Sequence, residues 1–235
     1  MVKLGNLLFH NRNWLFPLFY VILFIPSPEV FNDPVTAMLI GFGIALIGQI
    51  IRIITIGLVY IVRGGRNRRV YADDLVTTGI FSHCRNPLYV GNILILAGLG
   101  VASNSLIFMA VATPLFLFFY QAIVLAEENF LRNKFGEAFN EYCKKVNRWV
   151  PAFAGIGNTI NSMEFKWKRV VIREYTSIYV WLTGAVLIIM KHFYVHDERF
   201  NLDKNLTLFV VILVALLALY LFTRYMKKAK IIVSD

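Results

Sequence analysis

Apolar residues in this chain come in long blocks, not at a period of 3.6 or 2, a pattern that predicts membrane-embedded helices. The first block runs from about Trp14 to Ile25, starting as early as Leu7. It contains Pro17 and ends at Pro26-Ser27-Pro28 with no small-residue cleavage site, so it reads as a retained anchor. Val35 to Val62 is long enough to span with tilt. Leu88–Ala102 and Leu106–Ala126 are joined only by Ser103-Asn104-Ser105, which predicts a helical hairpin with one short arm. In the charged stretch from Glu127 to Val150, the residues Leu131, Phe135, Phe139, Tyr142 and Val146 fall at helical spacing and predict an amphipathic helix on the membrane or against the bundle. Two further spans are expected near Ile172–Phe193 and Leu206–Phe222. The fold class is therefore all-α, a polytopic transmembrane bundle of about six membrane segments. It divides into N-terminal transmembrane helices (1–70), a central core (71–154) and a C-terminal extension with two more transmembrane helices (155–235). No internal repeat or low-complexity tract is present.

Composition supports lipid as the solvent: 58% of the 235 residues are hydrophobic, against about 45–50% in soluble domains. The net charge of +10 raises nucleic acid as a partner, but no groove-reading motif is present and the basic residues border apolar blocks. There they set topology and meet anionic headgroups. Arg63, Arg66, Arg68, Arg69 and Arg85 share one loop. Arg132, Lys134, Lys144, Lys145, Arg148, Lys166, Lys168 and Arg169 share another, and Arg224, Lys227, Lys228 and Lys230 follow the last span. The links 28–34 and 103–105 carry no Lys or Arg, so six segments put all three basic groups, both termini and the polar segments on the cytoplasmic side. Cys84 and Cys143 both lie in basic segments and read as reduced thiols, not a disulfide framework.

The polar segments flanking the hairpin carry the candidate chemistry. In HCRNPLYVGN (83–92), Pro87 suits the first turn of a helix, where no amide donor is needed. Asn86, Tyr89 and Val90 then project from that turn, and Tyr89 and Asn92 share a face. Gly91, Gly98 and Gly100 offer bare backbone to a ligand or a neighbouring helix. Glu127 and Glu128 end the return arm as adjacent carboxylates. Taken singly, each has a bland structural reading, and Gly98-Leu99-Gly100 is no dinucleotide fingerprint without a βαβ unit. Taken together on one face, they point to a pocket. Arg52 lies inside the second span, about 16 Å deep if counted from Arg63 at ~1.5 Å per residue. It predicts either a structural ion pair with a bundle carboxylate or a substrate contact shared with Gln49, three residues earlier. His196, Asp197 and Glu198 are metal-ligand types, but they fall in a solvated charge run on the outer side, and no metal site is expected.

The order G-x-[YF]-x3-R-[HN]-P-x-Y-x-G, an apolar hairpin, then E-E-x2-L-x3-[FY]-G-x2-[YF]-x2-Y and a Pro resembles the isoprenylcysteine carboxyl methyltransferase and phospholipid methyltransferase superfamily. The matching residues are Gly79, Phe81, Arg85, Asn86, Pro87, Tyr89, Gly91, Glu127, Glu128, Leu131, Phe135, Gly136, Phe139, Tyr142 and Pro151. Asn86 stands where the isoprenylcysteine enzymes carry His, and Asn-Pro-x-Tyr is closer to the phosphatidylethanolamine enzymes. The resemblance implies that 71–154 is a methyltransferase core. It would bind S-adenosyl-L-methionine at the cytoplasmic membrane boundary and take a lipid or prenylated acceptor, carboxylate or amine, from the bilayer. Asn86, Pro87, Tyr89, Gly91, Asn92, Gly98, Gly100, Glu127 and Glu128 would hold the cofactor. Arg85 would hold a carboxylate or phosphate, and His83 would take a proton from an amine acceptor. Arg52 and Gln49 would meet the substrate. Homo-oligomerisation is left open. Two other readings stand beside this one. Sterol double-bond reductases share a similar Arg-His-Pro region and use NADPH, and a lipid-binding or transport protein could use the same bundle without catalysis.

Overall fold

The computed structural model describes residues 1–58, 72, 74–196 and 202–233, with the side chains of 196 and 202–205 excepted. Within these residues the chain is all-helical. The helices are α1 (Val2–Ile22), α2 (Pro34–Leu58), α3 (Pro87–Ala102), α4 (Thr113–Phe135), α5 (Glu137–Lys145), α6 (Ile156–Asn161), α7 (Trp167–His196) and α8 (Leu202–Lys228). Gly79–Ser82 forms a 3-10 turn before α3, and Phe108–Ala112 is a π-helical turn that runs into α4. Arg63, Arg66, Arg68, Arg69, Asp197, Glu198 and the His196 side chain lie outside the described residues.

Four helical stretches are long and apolar enough to cross a membrane: Pro34–Leu58, Phe108–Phe135, Trp167–Val195 and Leu206–Lys228. The protein is an integral membrane protein. Of the six segments expected, the other two are different in kind. Pro87–Ala102 is a shorter apolar helix, as the short hairpin arm predicts. The helix α1 carries Lys3, His10, Arg12 and Pro17 and packs along α4, with Leu8 and Phe9 buried against Ala122 and Ile123. Most of the large apolar side chains described on α8 are exposed, among them Leu208, Val211, Leu219 and Phe222, as expected of a helix facing lipid.

Local sequence explains the helix ends. The Asp33 carboxylate accepts the amides of Val35 (3.1 Å) and Thr36 (2.8 Å), capping α2 just before Pro34. At the turn 103–105, Asn104 adopts φ 54° and accepts the amides of Val30 (3.0 Å) and Phe31 (2.9 Å), which ties the hairpin to the α1–α2 link. The expected amphipathic helix is divided. The helix α4 continues beyond Glu128 to Phe135, Gly136 turns with φ 54°, and α5 follows. A left-handed turn at Gly136 re-aims the stripe so that Leu131, Phe139, Tyr142 and Val146 gather around Ala72.

The helices α2 and α3 pack backbone against backbone, and small residues make this possible. A Cβ on Gly41 would lie 2.2 Å from the Ala102 nitrogen, and one on Gly48 would lie 2.6 Å from the Gly91 oxygen. A Cβ on Gly98 would lie 2.5 Å from the nitrogen of Ala45, itself fully buried. In lipid, such backbone proximity is what holds helices together, because apolar side chains gain little by leaving lipid for protein. Gly98→Ala therefore meets backbone, not a movable side chain. It should cost about 1–3 kcal/mol, read as a lower unfolding midpoint in detergent; an unchanged midpoint would mean that the seam can open without penalty.

Candidate active site

Residues 147–152 fold back over the 83–86 segment as a strap. The Arg85 amide donates to Asn147 O (3.0 Å), the Ala152 amide to His83 O (2.9 Å), and Asn86 Nδ2 to Arg148 O (3.2 Å). The Tyr142 hydroxyl donates to Phe81 O (2.6 Å), so α5 fastens the 3-10 turn from the other side. Glu128 ties the arrangement together. Its two oxygens accept from Arg148 Nε (2.9 Å) and Nη2 (2.7 Å), and Arg85 Nη2 lies 3.3 Å from Oε1. The hydrogen bonds to Glu128 push the Arg148 guanidinium above its ordinary value. Burial likewise pushes the Cys84 thiol up, which lowers its thiolate fraction.

Behind this mouth lies a cavity of about 1120 Å3, walled by α1, α2, α3, α4 and α7. It exceeds the ~300–1,000 Å3 of ordinary small-ligand pockets. Arg85, Asn86, Pro87 and Tyr89 line it at the start of α3, and Glu127 faces them from α4. The Tyr89 hydroxyl donates to Glu127 Oε1 at 2.6 Å, a charge-assisted bond. The Tyr89 ring packs against Tyr120, centroids 4.9 Å apart. Arg12 of α1 also lines the cavity, with its guanidinium 4.2 Å from the Phe9 ring centroid.

A second polar cluster sits at membrane depth. Arg52 grips Glu174 of α7 with two bonds, Nε to Oε2 (2.8 Å) and Nη2 to Oε1 (2.6 Å). Gln49 Nε2 adds a third at 3.1 Å, and Glu174 is fully buried. Arg52 Nη1 also donates to Asn92 Oδ1, and Asn92 Nδ2 donates to the Tyr120 hydroxyl at 2.7 Å. Arg52 has the bundle carboxylate of the ion-pair reading, and its side chain also lines the cavity.

Of the residues singled out in the sequence, Arg85, Asn86, Pro87, Tyr89, Asn92, Glu127 and Arg52 meet around one cavity. The others sit elsewhere. Gly91 and Gly98 face the α2 seam and Gly100 faces Phe108, so their bare backbone serves packing and does not open to the cavity. His83 has both ring nitrogens engaged, by Ala152 O (2.7 Å) and Thr159 Oγ1 (2.8 Å), and is off the cavity wall. Among the described residues, Gln49 reaches the site through Glu174, and Glu128 through its arginines. Sequence reasoning missed Arg148, Glu174, Tyr120 and Arg12. Glu174 left a signal, a carboxylate just inside an apolar block that could answer Arg52. Tyr120, among phenylalanines, left none.

The matching stretch supports the same architecture: residues 33–138 match the phospholipid methyltransferase family. This stretch is a domain of that family. The domain carries the α2–α3 seam, the Arg85-Asn86-Pro87 mouth and both glutamates, while Arg148 and Glu174 lie beyond it. Among similar proteins, the cobalt-zinc-cadmium resistance protein CzcN of Cupriavidus metallidurans is 40% identical over 79 residues, 34% of this chain and 36% of that protein. The nickel-cobalt-cadmium resistance protein NccN of Alcaligenes xylosoxydans xylosoxydans is 35% identical over 80 residues, 34% and 37% of the two chains. A probable protein-S-isoprenylcysteine O-methyltransferase of Oryza sativa is 32% identical over 120 residues, 48% of this chain and 60% of its own. The matches thus span little more than a third of the length of the two bacterial relatives. No solved structure matches.

Proposed function

We propose that the protein is an S-adenosyl-L-methionine-dependent methyltransferase of the membrane, acting on a lipid or prenylated acceptor. The observation that carries this reading is the Tyr89–Glu127 pair beside Arg85-Asn86-Pro87, on the wall of a cavity roomy enough for two ligands. The donor set fits the cofactor. Glu127 suits its ammonium or ribose hydroxyls, Arg85 its carboxylate, and Asn86 with the neighbouring main chain an adenine edge. Bound there, S-adenosylmethionine would supply an electrophilic methyl group for direct displacement.

The protein's share of the work is alignment and exclusion of water. The strap over 83–86 fixes Arg85 and Asn86, and the apolar side chains Phe16, Leu96 and Phe116 on the cavity wall suit an acyl or prenyl chain. A carboxylate acceptor needs no base. An amine acceptor has to lose a proton first, and on that branch Glu127, the lining carboxylate not committed to Arg52, would take it. The basic groups near the mouth favour a cytoplasmic site with both termini on the same side. On this reading residues 71–154 are the catalytic core. The two bacterial relatives bear metal-resistance names; the methyltransferase reading follows the phospholipid methyltransferase match instead.

Purified protein incubated with methyl-labelled S-adenosylmethionine and host-membrane lipid should move label into the organic phase. Base treatment then sorts the acceptor: volatile, base-released label means a methyl ester, and base-stable label means an amine. No label and no cofactor binding would refute the methyltransferase reading and favour the reductase or the lipid-binding scaffold.

A further inference from the structure

The extension beyond the family domain contributes α7 to the cavity, and the polar network there has a fixed direction. Glu174 holds the Arg52 guanidinium with two bonds. Arginine only donates, so the Asn92 oxygen has to face Arg52, and the Asn92 NH2 has to face Tyr120. The Tyr120 oxygen is thereby the acceptor in that contact. Its own O–H hydrogen is left to point elsewhere, and Tyr120 lines the cavity. No protein acceptor for that hydrogen occurs among the described residues. The wall formed by α7 adds a second unmatched group: the Thr183 hydroxyl oxygen is buried, lies on a cavity-lining residue, and has no hydrogen-bond partner among the described residues. Buried polar groups of this kind are normally satisfied, so two of them around one cavity point to a ligand that satisfies them.

The charge of the lining indicates which ligand. Its described ionisable side chains include four guanidinium groups (Arg12, Arg52, Arg85 and Arg173) and two carboxylates (Glu127 and Glu174). Glu174 pairs with Arg52, and Glu128 behind the wall pairs with Arg85. A hydroxyl donor set among such guanidinium groups suits an oxyanion, and the surrounding apolar wall suits its chain.

We propose that α7 completes an acceptor subsite for an amphiphile with an oxyanionic headgroup, carboxylate or phosphate, in which the Tyr120 hydroxyl donates to the headgroup and Glu174 positions that hydroxyl through Arg52 and Asn92. The proposal rests on the methyltransferase reading for calling this amphiphile the acceptor, but the subsite itself is testable without methyl transfer. Tyr120 would touch substrate. Glu174 is a positioning residue.

The test uses the full chain in a neutral detergent with dodecanoate and dodecyl phosphate as probes, dodecyl trimethylammonium as the cationic control, and S-adenosylmethionine binding measured in parallel. Wild-type protein is expected to bind one or both anionic probes and not the cation; preference between the two identifies carboxylate or phosphate as the source of the oxyanion. Tyr120→Phe, which preserves the ring packing, should weaken that binding by about tenfold or more while cofactor affinity stays within about twofold. Glu174→Gln should weaken it similarly, and adding it to Tyr120→Phe should weaken it no further, because both act through one hydroxyl. A purely structural role for Glu174 would instead add to the Tyr120→Phe effect and lower the unfolding midpoint without this non-additivity. Equal probe binding by wild type and Tyr120→Phe, or binding of the cation in preference, overturns the proposal. Probe binding that depends on Tyr120 in a protein that binds no S-adenosylmethionine would sustain the subsite and remove the methyltransferase reading.

Discussion

Glu128→Ala should abolish measurable cofactor binding although Glu128 itself does not line the cavity. Its carboxylate is the shared counter-ion of Arg85 and Arg148, with a bidentate grip on the second. Removing it takes the shared counter-ion from the buried Arg85 and the half-buried Arg148, and breaking a fully buried pair costs about 3–5 kcal/mol, an upper bound here. The strap at 147–152 then loses the clamp that joins it to α4. Arg85 and Asn86, which that strap holds through Asn147 O and Arg148 O, lose their fixed geometry with it. The expected loss of S-adenosylmethionine affinity is about a hundredfold or more, equivalent to about 2.8 kcal/mol. Equilibrium dialysis with labelled cofactor measures it. Glu128→Gln, which keeps acceptor capacity on one oxygen, should lose less. Unchanged binding in Glu128→Ala would detach the clamp from the cofactor site.

Arg52→Ala should be the most damaging single change at membrane depth. Glu174 would remain fully buried with Gln49 as its neighbour and no other ion-pair partner among the described residues. The expected penalty is about 3–5 kcal/mol, seen as a fall in the unfolding midpoint and in folded yield. Replacing both partners with apolar residues, Arg52→Met with Glu174→Leu, should restore most of the stability, because a buried ion pair and a packed apolar pair are often close in energy. Methyl transfer should not return with it, since the Asn92–Tyr120 orientation depends on Arg52. Recovery of both stability and transfer would show that the pair serves the fold alone.

The sequence made the bundle legible because lipid imposes a simple rule. A segment whose backbone cannot reach water must be helical, so block length alone locates α2, α4, α7 and α8. The short hairpin arm and the Pro87 start of α3 were legible for the same kind of local reason. The break at Gly136 was not, because the apolar stripe runs past it and only the backbone angle shows the turn. The motif glycines suit a ligand or a neighbouring helix equally in the sequence, because helix packing and ligand approach make the same demand for a missing Cβ. Only the α2 seam distinguishes them. Glu127 and Glu128 are adjacent in sequence but point to different tasks, one to Tyr89 on the cavity and one to Arg148 behind it. Partners such as Arg148 and Glu174 are 20 and 122 residues from the groups they hold, and no period in the sequence encodes such a pairing. The role of α7 lay in the same blind spot: its length marks a span, but not the wall it gives to the cavity.

The central claim is that one cavity edge, from Arg85 to Asn92 with Glu127 opposite, receives S-adenosylmethionine. Ultraviolet crosslinking of methyl-labelled S-adenosylmethionine to the purified protein, followed by peptide mapping, tests it most directly. The account predicts a saturable adduct, displaced by S-adenosylhomocysteine, on peptides containing 85–92 or 120–128. An adduct confined to other peptides, or labelling that neither saturates nor competes, would contradict it.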